Sequence, residues 1–161
     1  WYMVPSLVAH EGSVYCIGGR SGGALAVRAG GRGDVTQSHR LWTGRKGSNV
    51  SSPVLHDGRL YFANEGNNKV HCVDAQTGKE AGERQLVPSP GTIYASPLLA
   101  DGKLYVTSRG GRTYVLSADP RLELLAVNDL KDGSIFDGSP AVAGGRLLLR
   151  SYRHLYCVGS Q

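Results

Sequence analysis

One module is written four times along this chain, and that repetition constrains the fold more than any other property. The clearest copy opens on Ser52-Pro53 and reaches Asp57-Gly58-Arg59-Leu60-Tyr61. It returns from Ser96-Pro97 to Asp101-Gly102-Lys103-Leu104-Tyr105, and again from Ser139-Pro140 to Gly144-Gly145-Arg146-Leu147-Leu148. A looser first copy opens on Ser6 and reaches Glu11-Gly12-Ser13-Val14-Tyr15. The turn glycines Gly12, Gly58, Gly102 and Gly145 are spaced by 46, 44 and 43 residues. A period in the forties with several short strands per unit is the signature of β-propeller blades.

Each module divides into four short strands, A to D, at its turn signals. In the second module strand A covers about Ser51 to His56, strand B Arg59 to Asn64, strand C Lys69 to Ala75 and strand D about Glu80 to Val87. The third repeats this near 95–100, 103–108, 112–118 and 122–128; the first near 5–10, 13–18, 24–29 and 37–43. Asp57-Gly58 is a tight hairpin turn of the kind that needs positive φ. Strand B is a continuous apolar run in Leu60-Tyr61-Phe62-Ala63 and in Leu147-Leu148-Leu149. Such runs fit sheets buried on both faces, as stacked blades are. The fourth module stops after Leu155-Tyr156-Cys157-Val158 without a strand D of its own. Residues 1–4, Trp1-Tyr2-Met3-Val4, are β-prone and belong to no module, so they are candidates for the closing strand, within one chain or between two. The expected fold is all-β: four four-stranded antiparallel blades, the last awaiting its outer strand. They form a single propeller domain or fragment over 1–161, with blades at about 5–43, 50–87, 94–128 and 137–158.

Composition narrows the function classes. The net charge is +5 and 19% of residues are charged, but the basic residues are scattered, which reads as solvated surface and not as a nucleic-acid face. Three cysteines, Cys16, Cys72 and Cys157, are an odd number and argue against a disulfide framework; they read as buried thiols. No run approaches the length of a membrane helix. The sequence opens on Trp1, with neither an initiator Met nor a signal peptide, and is expected to be a mature form or a piece of a longer protein.

The modules resemble pyrroloquinoline-quinone-type (PQQ-like) repeats. The resemblance is carried by Ser52-Pro53, by Asp57-Gly58-Arg59-Leu60-Tyr61, and by Val73-Asp74-Ala75-Gln76-Thr77-Gly78-Lys79, which is similar to the Asp-x-x-Thr-Gly-Lys segment that ends strand C in quinoprotein propellers. Similar repeats occur in the propeller lipoprotein of the bacterial outer-membrane barrel-assembly machinery. The resemblance implies seven or eight blades in a complete ring, so four would be half of a larger ring or one half of a homodimer completing an eight-bladed one. It also implies an extracytoplasmic location in periplasm or cell envelope. The family's docking Trp is replaced by Gly82 here, and only Trp42 stands in a comparable place.

The residue patterns favour binding over catalysis. The resemblance raises a quinoprotein oxidoreductase as the enzymatic alternative, with PQQ and calcium as cofactors. The chain has no adjacent cysteine pair and no evident calcium-ligand set, so no cofactor and no catalytic residue is expected. His10 and His56 recur at one module position, and no zinc spacing exists, so no metal site is expected. Gly18-Gly19-Arg20-Ser21-Gly22-Gly23 is followed by Ala24-Leu25-Ala26-Val27, another strand, and reads as a hairpin turn instead of a phosphate loop. Arg32-Gly33-Asp34 matches an adhesion tripeptide but is too short to carry weight. The loops before each inner strand open near the ring axis. The candidate ligand-binding residues there are Arg45, Lys46 and Asn49 before blade two, Thr92 and Tyr94 before blade three, and Ile135, Phe136 and Asp137 before blade four. The expected function is a non-catalytic scaffold for a protein partner, with carbohydrate binding at the axis as a further alternative.

Overall fold

A computed structural model describes residues 3–18 and 22–159. It contains three four-stranded antiparallel sheets and one three-stranded sheet, each made from consecutive strands. Blade one comprises β1 (Val8–His10), β2 (Ser13–Gly18), β3 (Gly23–Arg28), the helical turn α1 (Thr36–His39) and β4 (Arg40–Gly44). Blade two comprises β5 (Val54–His56), β6 (Arg59–Asn64), β7 (Lys69–Asp74) and β8 (Glu80–Gln85). Blade three comprises β9 (Leu98–Ala100), β10 (Lys103–Thr107), β11 (Arg112–Ser117) and β12 (Leu124–Asp129), and blade four β13 (Ala141–Ala143), β14 (Arg146–Arg150) and β15 (Leu155–Val158). The A–B hairpins turn on Glu11-Gly12, Asp57-Gly58, Asp101-Gly102 and Gly144-Gly145, with positive φ at both residues of each pair. That is the backbone of a two-residue primed turn, whose twist matches the flanking strands.

Three local differences from the sequence reading have physical causes. The inner strands have three residues each, because Pro53, Pro97 and Pro140 have no N–H to donate and the ladder begins only after them. Strand D of blade one is preceded by α1, which the strand pattern does not predict; Asp34 Oδ1 accepts the Thr36 N–H at 3.0 Å and starts the turn. Only Cys72 is buried as expected; Cys16 is half-buried and Cys157 exposed, since each lies on a blade face that no other blade covers among the described residues. Gly18 pairs with Gly23 as in a hairpin, while residues 19–21 of that turn lie outside the described residues.

Strand alternation builds the core between blades. In blade two, Leu60, Phe62 and Val73 point back to Tyr15, Ile17, Ala26 and Trp42 of blade one. The intervening Tyr61, Ala63, Val70 and Cys72 point forward to Leu104, Val106, Tyr114 and Leu116 of blade three. Both faces of blade two are thus buried, as its continuous apolar runs require. The third junction is looser: a cleft of about 680 Å³, lined in part by Tyr105, Thr113, Leu147 and Val158, separates blades three and four.

The inner strands are joined by a serine relay. The Ser6 N–H donates to Ser52 Oγ (2.9 Å), the Ser52 N–H to Ser96 Oγ (3.0 Å) and the Ser96 N–H to Ser139 Oγ (2.9 Å). Each step crosses one blade junction in the same direction. The module serine thereby has a physical reason: its hydroxyl holds the backbone of the preceding blade.

Trp42 docks blade one on blade two. Its Nε1–H donates to the Ala75 carbonyl at 2.8 Å, and its ring covers Gly78, where a Cβ would strike it. The corresponding Gly82 of blade two meets the Pro120 carbonyl of blade three, an approach that only a residue without Cβ permits. Of the expected closing strand, the Val4 N–H donates to the Asn49 carbonyl and Met3 lies against Gly18, so both run beside blades one and two and not along β15. Trp1 and Tyr2 of that segment lie outside the described residues.

Candidate functional site

Antiparallel blades put the D–A and B–C loops on one end of the stack, and the polar groups gather there. Between blades three and four, Arg109 from the β10–β11 turn reaches Asp137: Nε donates to Oδ1 at 2.6 Å and a terminal nitrogen to Oδ2 at 3.2 Å. The guanidinium carbon lies 4.6 Å from the centre of the Tyr94 ring. The Tyr152 hydroxyl donates to Asp137 Oδ2 at 3.1 Å. Backbone bonds fix the loops to one another: the Arg109 N–H donates to the Thr92 carbonyl, the Phe136 N–H to the Arg109 carbonyl and the Tyr152 N–H to the Ile135 carbonyl. The Arg109 guanidinium holds the Asp137 carboxyl below its usual range. A forked arginine–carboxylate pair is a strong and directional contact.

Under this array lies a second carboxylate with no exposed side-chain surface. Asp132 accepts from the Ser134 N–H (3.0 Å), the Ser151 hydroxyl (2.7 Å) and the Tyr156 hydroxyl (2.6 Å), and pairs with His154 Nδ1 (3.0 Å). These donors hold its carboxyl far below the usual range, the Ser134 bond foremost. Ser151, His154 and Asp132 match a hydrolytic triad in composition only. Ser151 and His154 both bond to the same Asp132 oxygen, so the imidazole does not stand between hydroxyl and carboxylate as a general base must.

The candidates before blade two fall in a different place. Lys46 is held by carboxylates: its Nζ donates to both Glu80 oxygens at 2.6 Å and to Glu83 at 3.0 Å, and Lys69 donates to Glu83 at 2.5 Å. Buried His71 stacks on Phe62 and approaches Glu80 at 3.2 Å. His71, Glu80 and Glu83 bring ligand atoms within 4.8 Å of one another, a grouping the spacing of the histidines does not reveal. The Lys46 ammonium supplies the cation that this group balances. Glu65 accepts from the Asn49 N–H and from the Ser48 hydroxyl, each at 3.1 Å.

Of the sequence candidates, the fold brings Thr92, Tyr94, Ile135, Phe136 and Asp137 together and leaves Arg45, Lys46 and Asn49 at the junction of blades one and two. Phe136 is buried, packed over Gly111 and stacked on Tyr156 at 6.1 Å, so it supports the site from beneath. Sequence reasoning passed over Arg109, Asp132, Tyr152 and His154. The available signal was topological, since B–C turns share an end with the D–A loops. The donor set does not fit a quinone–calcium centre. The cysteines lie in three different blades, and Glu65, Asp132 and Asp137 are each engaged by protein donors.

Residues 10–133 match the family described as outer membrane protein assembly factor BamB. No curated protein sequence matches the chain. BamB from Moraxella catarrhalis superposes over 91% of this chain and 42% of its own, with TM-score 0.71 at 17% identity. The computationally designed Ika4 protein superposes over 98% and 92%, with TM-score 0.71 at 13% identity. A europium-containing methanol dehydrogenase superposes over 81% of this chain and 24% of its own, with TM-score 0.60 at 15% identity. The chain therefore spans less than half of the BamB chain it matches, and about a quarter of the dehydrogenase.

Proposed function

The chain belongs to the BamB family of PQQ-like propellers, and from that premise we propose that it is a non-catalytic scaffold that binds a protein partner through the D–A/B–C loop face. The observation that carries this reading is the Tyr94–Arg109–Asp137–Tyr152 array. Its side chains are held by backbone-anchored loops, so little side-chain freedom remains to be lost on binding. Tyrosine and arginine are the residues that most often anchor interfaces, because each offers a broad apolar surface with a polar tip. Tyr152 is 68% exposed, which leaves its ring available to a partner. We take the compartment to be the extracytoplasmic envelope and the chain to work without quinone or calcium.

Photo-crosslinking in the envelope of the source cells tests the reading. Tyr152→p-benzoylphenylalanine is expected to trap one protein partner, and the same replacement at Asp57, on the opposite end, none. Tyr94→Ala with Arg109→Ala should weaken that adduct at least tenfold, measured at a temperature where circular dichroism shows the double variant still folded. Equal trapping from both ends, or none from position 152, refutes the loop face. Dye reduction by the chain with added PQQ and calcium would refute the non-catalytic reading and favour the oxidoreductase alternative.

A further inference from the structure

We propose that His71, Glu80 and Glu83 form a binding site for one zinc-type divalent cation on the back face of blade two, where the Lys46 ammonium now stands. The site is independent of the loop-face reading. A bulge builds it. His71 pairs with Glu83 and Val73 with Glu80, and the register shift between Cys72 and Val73 leaves Ala81 as an extra residue in β8. Residues 80 and 83 are an odd number of positions apart and would point to opposite faces of a regular strand. The extra residue turns both onto the face of His71 and Val73, which looks toward blade one.

The repeat makes this group stand out. The same bulge occurs in blades one and three, so corresponding positions follow from the strand registers. Where blade two has His71, its sister blades have Leu25 and Tyr114. Where it has Glu83, they have Thr43 and Val127; where it has Glu80, they have Arg40 and Leu124. The module therefore accounts for the bulge but not for an imidazole beside two carboxylates. Packing does not account for it either, since a buried ionic group is seldom worth more than well-packed apolar side chains. His71 is 2% exposed and stacked on Phe62, with its Nδ1 facing the carboxylates.

The donors have the spacing of a metal site. His71 Nδ1 lies 3.2 Å from Glu80 Oε1 and 3.8 Å from Glu83 Oε2. Zinc bonds of about 2.0–2.2 Å in a tetrahedron separate neighbouring ligand atoms by about 3.3–3.6 Å, and the two distances at His71 bracket that range. Three protein donors leave a fourth position for water. A pocket of about 410 Å³, lined in part by Lys46, His71 and Glu83, provides the entry path. An imidazole donor favours zinc and its transition-metal neighbours over calcium and magnesium, which take oxygen ligands.

A cation already holds the place. Lys46 Nζ donates to both Glu80 oxygens at 2.6 Å and to Glu83 Oε2 at 3.0 Å, yet its side chain is 43% exposed. It can swing into water still protonated, so a double positive charge replaces a single one on the same carboxylates. Lys69 binds the other Glu83 oxygen, Oε1, and stays to orient that ligand.

Isothermal titration of the EDTA-stripped 161-residue chain with zinc chloride tests this. The expected result is one zinc per chain with a dissociation constant below about 100 μM, and no binding of calcium chloride in the same range. Glu80→Gln with Glu83→Gln, at partly exposed positions, should weaken zinc at least about a hundredfold, more than the loss of a supporting residue causes. That comparison is made at a temperature where circular dichroism shows the double variant still folded. Lys46→Met should tighten zinc at least about tenfold, because the ammonium no longer competes for both carboxylates. Zinc held adventitiously by the other histidines would not respond to Lys46. Binding weaker than about 100 μM, undiminished binding in the double glutamine variant, or no tightening in Lys46→Met each overturns the proposal.

Discussion

Single side chains in this protein act mainly by satisfying a neighbouring blade. Trp42 is the clearest case, because its indole N–H is the partner of the buried Ala75 carbonyl. Trp42→Phe should cost about 1–3 kcal/mol by orphaning that carbonyl, and Trp42→Ala about 3–5 kcal/mol by opening a cavity at the junction. Urea unfolding measures both, and equal effects would deny the hydrogen bond its role. His71 gives a pH signature. Burial pushes its pKa below the ordinary 6.5, against the raising influence of Glu80 and Glu83, while the charge of Lys46 lowers it further. As pH falls below 6.5 the unfolded chain takes up this proton before the folded one, so stability declines. Glu83 adds a second and smaller decline. Lys69 first, then Lys46, hold it down to about 2, so its contribution is complete above 4.5 and is lost as pH falls toward 2. Glu83 is more than a third exposed, so solvent screens most of that loss. Melting temperatures across pH 4.5–6.5 should fall for wild type and stay nearly flat for His71→Gln. A wild-type slope retained in His71→Gln would assign that window to another group.

The strand and the turn were the most legible units in the sequence, and the contacts between blades the least. The A–B hairpins were readable because two-residue primed turns demand Gly or Asp at named places, and the chain supplies them at one period. The double-sided burial of β6 was readable because Leu60-Tyr61-Phe62-Ala63 has no polar side. The helical turn at 36–39 was not, since one turn has no period to detect. Nor could the sequence show what Ser52 and Ser96 do, because their partners are 44 and 43 residues away. The site was half legible for the same reason: the D–A loops are recognisable as loops, but the pairing of Asp137 with Arg109 depends on how two blades stack. Junction chemistry also predicts unequal tolerance at matched positions. Gly82→Trp would restore the family's docking residue yet drive a side chain into the Pro120 carbonyl. It should therefore destabilise by about 1–3 kcal/mol or more, the usual range for overpacking. A neutral or stabilising result in urea titration would mean that the Pro120 turn can move aside.

At the scale of the whole molecule, stability should follow the quality of the junctions. Blades two and three share the largest set of fully buried side chains, with Tyr61, Leu86, Leu104, Tyr114 and Leu116 at its centre. Blade four contributes few buried residues, among them Leu149 and Ser151, and is separated from blade three by the open cleft. Among the described residues no strand pairs with the outer edge of β15, and β14 and β15 keep one face uncovered. Regions with little buried apolar contact open at lower free energy than the rest of a domain. Native-state hydrogen exchange of dilute wild type should therefore release β14 and β15 amides at least tenfold faster than those of β6, β7, β10 and β11. The Asp132 cluster and the Arg109–Asp137 pair hold the loop end of blade four, so protection should fade along β15 from Leu155 toward Val158. Release of the β14 and β15 amides no faster than those of β6, β7, β10 and β11 would show that the quality of a junction does not set the order in which blades open.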